Sequence, residues 1–338
     1  MWTYTDLVDS QKTALDLVAG FAVLLVSVVL RIIRAQSLYN SRMSWESIGA
    51  LIKTMRPHQW LKNALLFAPL VFDRKLDHVP ALLNTLAGFV LFCLLASIVY
   101  IINDLADLEA DRMHPETRNR PLASGKLSAR TAGMAAGVIV VVVFPLAYVL
   151  SPGFALILAT YLGLNLAYSK WLKHITLVDV FVLASFYVLR VVAGVTLIEV
   201  ERFSPWLYVV TTLLALYIGF GKRRAELALL ADGANQHRRV LDGYTIPLLD
   251  QFITIVSATT IVAYSLYTFS APNLPENHAM MLTIPFALYG IFRYLYLVQL
   301  KHSGGAPEEV LYSDRPLQIT IVLWGLAVMA VFYLIPSS

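Results

Sequence analysis

An asparagine and three aspartates stand close together where a long apolar run ends, at Asn103, Asp104, Asp107 and Asp111. On an α-helix, Asn103, Asp107 and Asp111 are four residues apart and share one face. Carboxylates at that spacing repel one another, and a divalent cation relieves the repulsion. Because Mg²⁺ in proteins usually combines one or two carboxylates with substrate phosphates, this acidic stripe predicts a Mg²⁺–diphosphate site. The alternative is a solvated helix end with ordinary Asp–Arg pairs.

Three basic residues, Arg118, Arg120 and Lys126, follow the stripe in a segment rich in Pro, Ser and Gly. The guanidinium group of arginine can bind a phosphate through two parallel hydrogen bonds. The segment therefore predicts an anion clamp beside the metal site. The alternative is that these cations only mark the cytoplasmic side of a membrane.

A second charged cluster begins with three consecutive cations, Lys222, Arg223 and Arg224, and continues to Glu226. Adjacent cations suit direct binding of a phosphate group. The alternative is a basic stop at the membrane surface.

Ionisable residues also enter the apolar run that begins near residue 176. Lys170 and Lys173 precede it, Asp179 opens it, and Arg190 follows. At 1.5 Å per residue, Arg190 lies about 16 Å deeper than Asp179. An ionisable group at such depth indicates a functional site, with a structural salt bridge as the alternative.

The elements that must position these residues are membrane helices. The 338-residue chain is 58% hydrophobic and only 14% charged, against about 25% charged in soluble proteins. Because about 20 apolar residues cross a bilayer, the apolar runs predict an all-α transmembrane bundle of nine core spans. The nine spans are residues 63–72, 81–102, 131–150, 151–169, 176–198, 203–221, 251–271, 277–292 and 316–336.

A further apolar segment, residues 17–33, precedes these spans. It is predicted to be a tenth span, an interfacial helix or a signal sequence, and the acidic residues before it disfavour the signal sequence. The chain is accordingly divided into an N-terminal extension, residues 1–44, and one membrane catalytic domain, residues 45–338.

Lysine and arginine are concentrated in alternate loops. The basic loops are residues 104–130, 170–175, 222–250 and 301–315, whereas the opposite loops hold only Arg74, Lys75 and Arg202. Cytoplasmic loops of membrane proteins carry the excess of positive charge. The pattern predicts a multi-pass protein of the cell membrane whose acidic stripe and basic cluster face the cytoplasm.

Composition also narrows the partners. A net charge of +4 is too mild to indicate nucleic acid and suits an anionic membrane surface. The single cysteine, Cys93, excludes an internal disulfide, and the seven histidines show no zinc-binding spacing. Homo-oligomer formation is left open.

The pattern N-D-x-x-D-x-x-x-D from Asn103, followed by N-R-P-L-A-S-G from Asn119, resembles the UbiA family of intramembrane prenyltransferases. The R-P-x-x-W segment from Arg56 is similar to the start of that family's first span. The resemblance covers about residues 45–335. It implies a helical bundle with a cytoplasm-facing cavity, where Mg²⁺ held by the aspartates binds the diphosphate of an activated donor.

The sequence departs from the usual family pattern after the sixth span, where G-K-R-R-x-E from Gly221 replaces a second Asp-rich motif. One acidic and one basic cluster suit two different phosphorylated substrates. Together with Y-S-K-x-x-K from Tyr168, the pattern resembles a branch of the family that uses phosphoribosyl diphosphate as donor. The resemblance implies Mg²⁺-dependent transfer of 5-phosphoribosyl to a polyprenyl (decaprenyl) phosphate, release of diphosphate, and arabinan precursor supply for a cell wall.

The charges and the resemblance together predict three groups of site residues. The metal ligands are Asn103, Asp104, Asp107 and Asp111, and the three aspartates and Asp179 are expected to be catalytic. The donor is expected at Arg56, Lys62, Asn63, Arg118, Arg120, Lys126 and Tyr168. The lipid phosphate is expected at Lys170, Lys173, Arg190, Lys222, Arg223, Arg224 and Glu226.

Two other functions remain as alternatives. An ordinary UbiA-type prenyltransferase would join a prenyl diphosphate to an aromatic acceptor, and the missing second Asp motif argues against it. A transporter or channel is compatible with many spans and intramembrane charges. The acidic stripe is explained better by catalysis than by transport.

Overall fold

The computed structural model describes residues 45–115, 117–199, 205–231, 239–271, 274–275, 277–300, 310 and 313–334. Every regular element in these ranges is a helix. The N-terminal extension and its predicted apolar helix, residues 17–33, lie outside the described residues, so they stay predictions.

Eleven α-helices and five short 3₁₀ helices are described. The α-helices are α1 (Trp45–Met55), α2 (Ala68–Phe72), α3 (Val79–Ala106), α4 (Leu108–Met113), α5 (Ala129–Leu150), α6 (Pro152–Lys170), α7 (Val178–Val195), α8 (Pro205–Ala231), α9 (Ile246–Ser270), α10 (Ile284–Leu300) and α11 (Arg315–Tyr333). The 3₁₀ helices are Pro57–Phe67, Thr117–Asn119, Leu172–His174, Arg239–Gly243 and Ala279–Thr283.

Within the described ranges, seven helical segments are long and apolar enough to cross a membrane. They contain α3, α5, α6, α7, α9, α10 and α11, and they match seven of the nine predicted spans. At the first predicted span the structure instead has the 3₁₀ helix Pro57–Phe67 followed by the five-residue α2. At the sixth it has α8, which continues for 27 residues through the Lys222–Arg224 cluster.

The chain divides into two compact units. Within the described residues, the first unit comprises residues 45–70, 75–115, 117–169 and 192–199, and the second comprises residues 71–74, 170–191, 205–231 and the described residues from 239 onward. In the first unit, α3 is the central helix and packs against α1, α5 and the 3₁₀ helix Pro57–Phe67. A glycine permits one close approach there, because a Cβ on Gly194 would collide with the carbonyl oxygen of Leu66.

The second unit has its main core between α8 and α9. Leu249, Ile253 and Tyr217 are buried in this core. A smaller aromatic cluster includes Tyr264, whose hydroxyl accepts a hydrogen bond from Trp324 Nε1 at 2.7 Å. The helices thus provide rigid supports for the charged residues at their ends.

Candidate functional site

Residues 56–63, which begin with the R-P-x-x-W motif, form a segment that runs along α3 in the opposite direction to that helix. Its polar side chains donate to residues at successively earlier turns of α3, which fixes the register of the segment. The three contacts are Arg56 Nη2 to Asp104 Oδ1 at 2.7 Å, Trp60 Nε1 to Ser97 Oγ at 3.0 Å and Asn63 Nδ2 to Cys93 Sγ at 3.2 Å. The segment therefore brings Arg56 to the acidic stripe, whereas Asn63 is buried further along α3.

The acidic stripe lies where α3 passes into α4. Asp107 separates the two helices with φ −94° and ψ 8°. Helical backbone hydrogen bonds continue on both sides, from Asp107 N to Asn103 O at 2.9 Å and from Asp111 N to Asp107 O at 2.8 Å. The predicted helical spacing is thus present, but Asp107 is exposed while Asp104 and Asp111 are buried.

Asp104 and Asp111 converge on a single nitrogen atom of Arg120. Arg120 Nη1 lies 2.7 Å from Asp111 Oδ2 and 3.4 Å from Asp104 Oδ1. The two aspartates are seven residues apart, which is about two helical turns, so their side chains share a face. The four-residue spacing predicts that Asp111 lies with Asp107, whereas in the structure its side chain lies with that of Asp104.

Arg56 supplies the second cation of this cluster. Its guanidinium carbon lies 4.9 Å from the centre of the Tyr100 ring, a cation–π distance, while its Nη2 atom bonds Asp104. Its backbone is in the left-handed region at φ 52°, immediately before Pro57. That conformation costs a non-glycine residue about 1 kcal/mol or more, and the contacts of its side chain help to hold it.

Asn103, the fourth member of the stripe, is oriented by a residue that the sequence analysis missed. Ser169 Oγ donates to Asn103 Oδ1 at 2.8 Å. Ser169 is the serine of the Y-S-K motif, so its place in that motif was a usable signal. Its neighbour Tyr168 is half-buried.

The remaining predicted donor residues lie nearer the surface. Arg118 and Lys126 are exposed, and Lys62 is half-buried. Gly125, with φ 78°, provides the left-handed turn that precedes Lys126, a conformation that glycine adopts without strain. Arg118 and Lys126 follow the acidic stripe in sequence, and exposed cations there suit an anion that arrives from solvent.

The second charged cluster, in the second unit, is centred on a buried ion pair. Arg223 Nε donates to Asp179 Oδ2 at 2.6 Å, and Arg223 Nη1 pairs with Glu226 Oε2. Tyr244 donates its hydroxyl proton to Asp179 Oδ1 at 2.7 Å. The side chains of Arg223 and Asp179 are 1% and 0% exposed, so neither is in contact with solvent.

Other predicted lipid-phosphate residues are distributed around this pair. Arg224 Nε donates to Asp250 Oδ1 at 2.6 Å, and Arg190, buried in α7, donates to the carbonyl oxygen of Phe186 at 2.7 Å. Lys170 is exposed, while Lys173 and Lys222 are half-buried. Arg224 is half-buried as well, so Lys170 is the exposed cation among these described residues.

Tyr244 and Asp250 are polar partners that the sequence analysis missed. Neither stands in a recognisable motif, and each meets its partner only through the packing of distant segments. Burial raises the pKa of Tyr244, and its hydrogen bond to Asp179 adds to the rise. Its hydroxyl therefore stays protonated at neutral pH and acts as a donor.

The chemistry of the acidic cluster suits a hard cation. In the part of the chain that the structure describes, no group of three or more His, Cys, Asp and Glu side chains could hold a metal ion. Two carboxylates and an amide oxygen nevertheless fit Mg²⁺, which commonly takes its other ligands from substrate phosphates and water. The position between Asp104 and Asp111 already accommodates a cationic group, that of Arg120.

Comparisons with known proteins address the family and the fold of the chain. The model of the UbiA prenyltransferase family matches residues 74–313. The chain is 35% identical over 282 residues to a decaprenyl-phosphate phosphoribosyltransferase of Mycobacterium tuberculosis, covering 82% of this chain and 92% of the relative. It is 33% identical to the enzyme of that name from Mycolicibacterium smegmatis, covering 85% and 93% of the two chains.

The fold is similar to that of a solved UbiA homologue from Archaeoglobus fulgidus bound to DMAPP and Mg²⁺. The TM-score is 0.61 at 20% sequence identity, over 84% of this chain and 99% of the other. The predicted all-α membrane bundle is thereby confirmed, and the seven apolar helices of the described residues make the chain a multi-pass membrane protein.

Proposed function

The chain belongs to the UbiA prenyltransferase family, and on that premise we propose that it transfers 5-phosphoribosyl from phosphoribosyl diphosphate to a polyprenyl phosphate. The relatives that are 33–35% identical over most of its length are named decaprenyl-phosphate phosphoribosyltransferases. The lipid is the acceptor in this reaction, and diphosphate is the leaving group. The product would supply arabinan precursors for a cell wall.

The observation that carries this proposal is the convergence of Asp104 and Asp111 on one nitrogen of Arg120. Two buried carboxylates form a strongly anionic pair, which Arg56 and Arg120 balance in this structure and which a divalent cation would balance in their place. We assign Mg²⁺ to Asp104 and Asp111, whereas Asn103 and Asp107 stay predicted ligands, because the structure does not group the exposed Asp107 with the other two carboxylates. When bound, Mg²⁺ would neutralise charge on the departing diphosphate.

The basic residues of the first unit are assigned to the donor. Arg56 and Arg120 have side chains that are 29% and 33% exposed, so they can turn from a carboxylate to a diphosphate oxygen while staying solvated, and Mg²⁺ would then balance the buried carboxylates. Arg118 and Lys126 are exposed and add positive charge on the solvent side. Lys62 and Tyr168 stay in the donor set as predictions, and the burial of Asn63 against Cys93 favours a structural role for that residue.

The accessible lysines of the second unit, Lys170, Lys173 and Lys222, are assigned to the lipid phosphate. A phosphate monoester is already an anionic nucleophile near pH 7, so the reaction needs no general base from the protein. What the protein must do is to position that phosphate and balance its charge.

Asp179 and Arg223 are assigned a positioning role in place of the catalytic and lipid-binding roles expected from the sequence. Both side chains are almost wholly inaccessible, and each oxygen of Asp179 has a donor. Arg224 is assigned the same kind of role through Asp250. Arg190 remains a candidate contact deeper in α7.

The excess of lysine and arginine in alternate loops supports placing the site on the cytoplasmic side of the cell membrane. Both substrates suit that placement. Phosphoribosyl diphosphate is water-soluble, whereas the polyprenyl chain needs an apolar environment that only the bilayer provides.

Donor choice tests the proposal directly. The purified protein is incubated with Mg²⁺, labelled phosphoribosyl diphosphate and polyprenyl phosphates of varied length, and lipid-linked label is measured. We expect transfer that stops when EDTA removes Mg²⁺ and returns when Mg²⁺ is added in excess. A parallel reaction contains a prenyl diphosphate and an aromatic acceptor. Prenyl transfer there, without phosphoribosyl transfer, would overturn the proposal in favour of an ordinary prenyltransferase.

A further inference from the structure

The hydroxyl group of Tyr244 joins two parts of the second unit. It accepts a hydrogen bond from the backbone N–H of Leu177 at 2.7 Å and donates one to Asp179 Oδ1 at 2.7 Å. Tyr244 is only 4% exposed. The hydroxyl therefore bridges the start of α7 and the segment immediately before it, in a place that water does not reach.

The backbone that Tyr244 holds is strained. Leu177 has φ 69°, in the left-handed region that non-glycine residues rarely adopt. Its side chain is 40% exposed, so packing of that side chain compensates little of the strain. The hydrogen bond from its N–H to Tyr244 supports this conformation, together with the bonds that its carbonyl oxygen accepts from Val180 N and Phe181 N, each at 3.1 Å.

A glycine makes the bridge geometrically feasible. Gly243 ends the 3₁₀ helix Arg239–Gly243, and a Cβ there would collide with the side chain of Thr176. Because Gly243 has no side chain, its backbone can lie directly against Thr176. Burial raises the pKa of Tyr244, so the hydroxyl remains a donor under physiological conditions.

The strained segment ends a loop of cationic and aromatic residues, residues 170–177, which we call the basic loop. Lys170 and His174 are exposed, and Lys173 is half-buried. Trp171 is 64% exposed, with the Lys170 Nζ atom 5.6 Å from the centre of its ring. An exposed tryptophan beside lysines suits the membrane interface, where an anionic lipid headgroup lies.

We propose that Tyr244 is a positioning residue for the lipid acceptor: its hydroxyl fixes the basic loop so that Lys170 and Lys173 face the phosphate of the polyprenyl phosphate. This inference rests on the proposed function. Tyr244 acts through the loop and not on the reacting atoms. Its other partner, Asp179, is held in turn by Arg223, which anchors the bridge to α8.

Tyr244→Phe removes the hydroxyl and keeps the ring. We expect KM for polyprenyl phosphate to rise about tenfold, the effect of losing one to two hydrogen bonds. KM for phosphoribosyl diphosphate and kcat at saturating lipid should stay near the wild-type values. Lipid binding measured without donor, as the thermal shift caused by polyprenyl phosphate, should weaken in parallel.

A second substitution separates loop positioning from general stability. Leu177→Gly in the Tyr244→Phe background removes the cost of the left-handed backbone, so KM for the lipid should return toward the wild-type value. Tyr264→Phe is the matched control. Tyr264 is equally buried, and its hydroxyl bonds Thr283 and Trp324 in the same unit, so its loss should lower stability and leave KM for the lipid unchanged.

Equal increases in KM for both substrates, or no rescue by Leu177→Gly, would overturn the inference. If Tyr244→Phe does not fold, Lys170→Gln and Lys173→Gln on the loop surface provide the test. Each should raise KM for the lipid alone, and normal KM values in both would equally overturn it. Failure of the proposed function is distinguishable, because the wild-type protein itself would then transfer no phosphoribosyl group.

Discussion

The two charged clusters contain the same ion pair, arginine with aspartate, in opposite degrees of exposure. In the first unit, the side chains of Arg56 and Arg120 are 29% and 33% exposed while that of Asp104 is 3% exposed. In the second unit, Arg223 is 1% exposed and Asp179 is 0% exposed. Only the first pair can be separated with one partner returning to solvent.

This difference separates binding from support. A partly exposed arginine can leave its aspartate for a phosphate, because water and the ligand solvate it during the exchange. Separating a fully buried pair leaves an uncompensated charge in the protein interior. We therefore infer that the first cluster binds a ligand and the second holds the helices that carry the accessible lysines.

The largest expected effect is on stability, and it should be confined to the second cluster. Asp179→Ala removes one of the two carboxylates that balance the buried Arg223, leaving Glu226, and should cost about 3 kcal/mol of unfolding free energy. Asp104→Ala should cost about 1 kcal/mol or less, because its arginine partners are exposed enough to be solvated. Thermal unfolding of the purified variants in detergent micelles measures both.

A double variant controls for the loss of packing in that experiment. Asp179→Leu combined with Arg223→Leu removes both charges and should be more stable than Asp179→Ala alone. Equal destabilisation by Asp104→Ala and Asp179→Ala would contradict the division into a binding cluster and a supporting cluster.

The next largest effect is on catalysis, and it should be confined to the first cluster. Asp104→Asn removes a metal-binding charge with little change in shape and should lower turnover about 10²- to 10³-fold at saturating Mg²⁺. Asp107→Asn should lower turnover less, because Asp107 is exposed. Transfer of labelled phosphoribosyl to lipid is the measurement.

Glu109→Gln is the matched control for these variants. Glu109 lies between Asp107 and Asp111 in sequence, but its side chain is 88% exposed. Among the ion pairs of the described residues, it pairs only with the exposed Arg112. Turnover should therefore be unchanged. Full activity of Asp104→Asn would contradict the assignment of a metal ion to this cluster.

The smallest expected effect distinguishes the two substrates. Lys222→Glu should raise KM for polyprenyl phosphate about tenfold, and Lys126→Glu should do the same for phosphoribosyl diphosphate, since each reverses one charge facing a phosphate. Neither should change the other KM by a comparable factor. If both variants raised both constants equally, the basic residues would not be divided between donor and acceptor.

Much of the fold could be predicted from sequence because a membrane span is a composition signal. A run of about 20 residues without charge is a requirement of the bilayer itself. The prediction was least complete at residues 63–72, a short run that the structure builds as the end of a 3₁₀ helix and α2. There the chain follows α3 through side-chain hydrogen bonds, which composition does not encode.

The acidic stripe was predictable as a cluster, but its four-residue spacing did not indicate how its side chains are grouped. The four-residue spacing correctly indicated a helix, yet the break at Asp107 leaves that residue exposed. Asp104 and Asp111 both contact Arg120 because seven residues return to almost the same helix face. The seven-residue spacing of Asp104 and Asp111 is visible in the sequence, so this grouping was predictable.

The role of Arg223 could not be predicted from its neighbours in sequence. Three consecutive cations indicate a basic surface, whereas the middle one points to Asp179, which is 44 residues away. Adjacent residues on a helix face different directions, so a run of like charges need not act as one group. Tyr244 could not be predicted either, because it is 65 residues from Asp179 in sequence and meets it only in the folded chain.

The labelling rate of the buried Cys93 thiol can measure local opening of the structure. Cys93 is the single cysteine of the chain, it is 2% exposed, and it is covered by Asn63 of the segment that also carries Arg56. We expect a maleimide to reach it more readily when that segment separates from α3. The native protein therefore reports, through its own labelling rate and without an introduced probe, how often the segment that supplies Arg56 detaches and whether a bound donor slows the detachment.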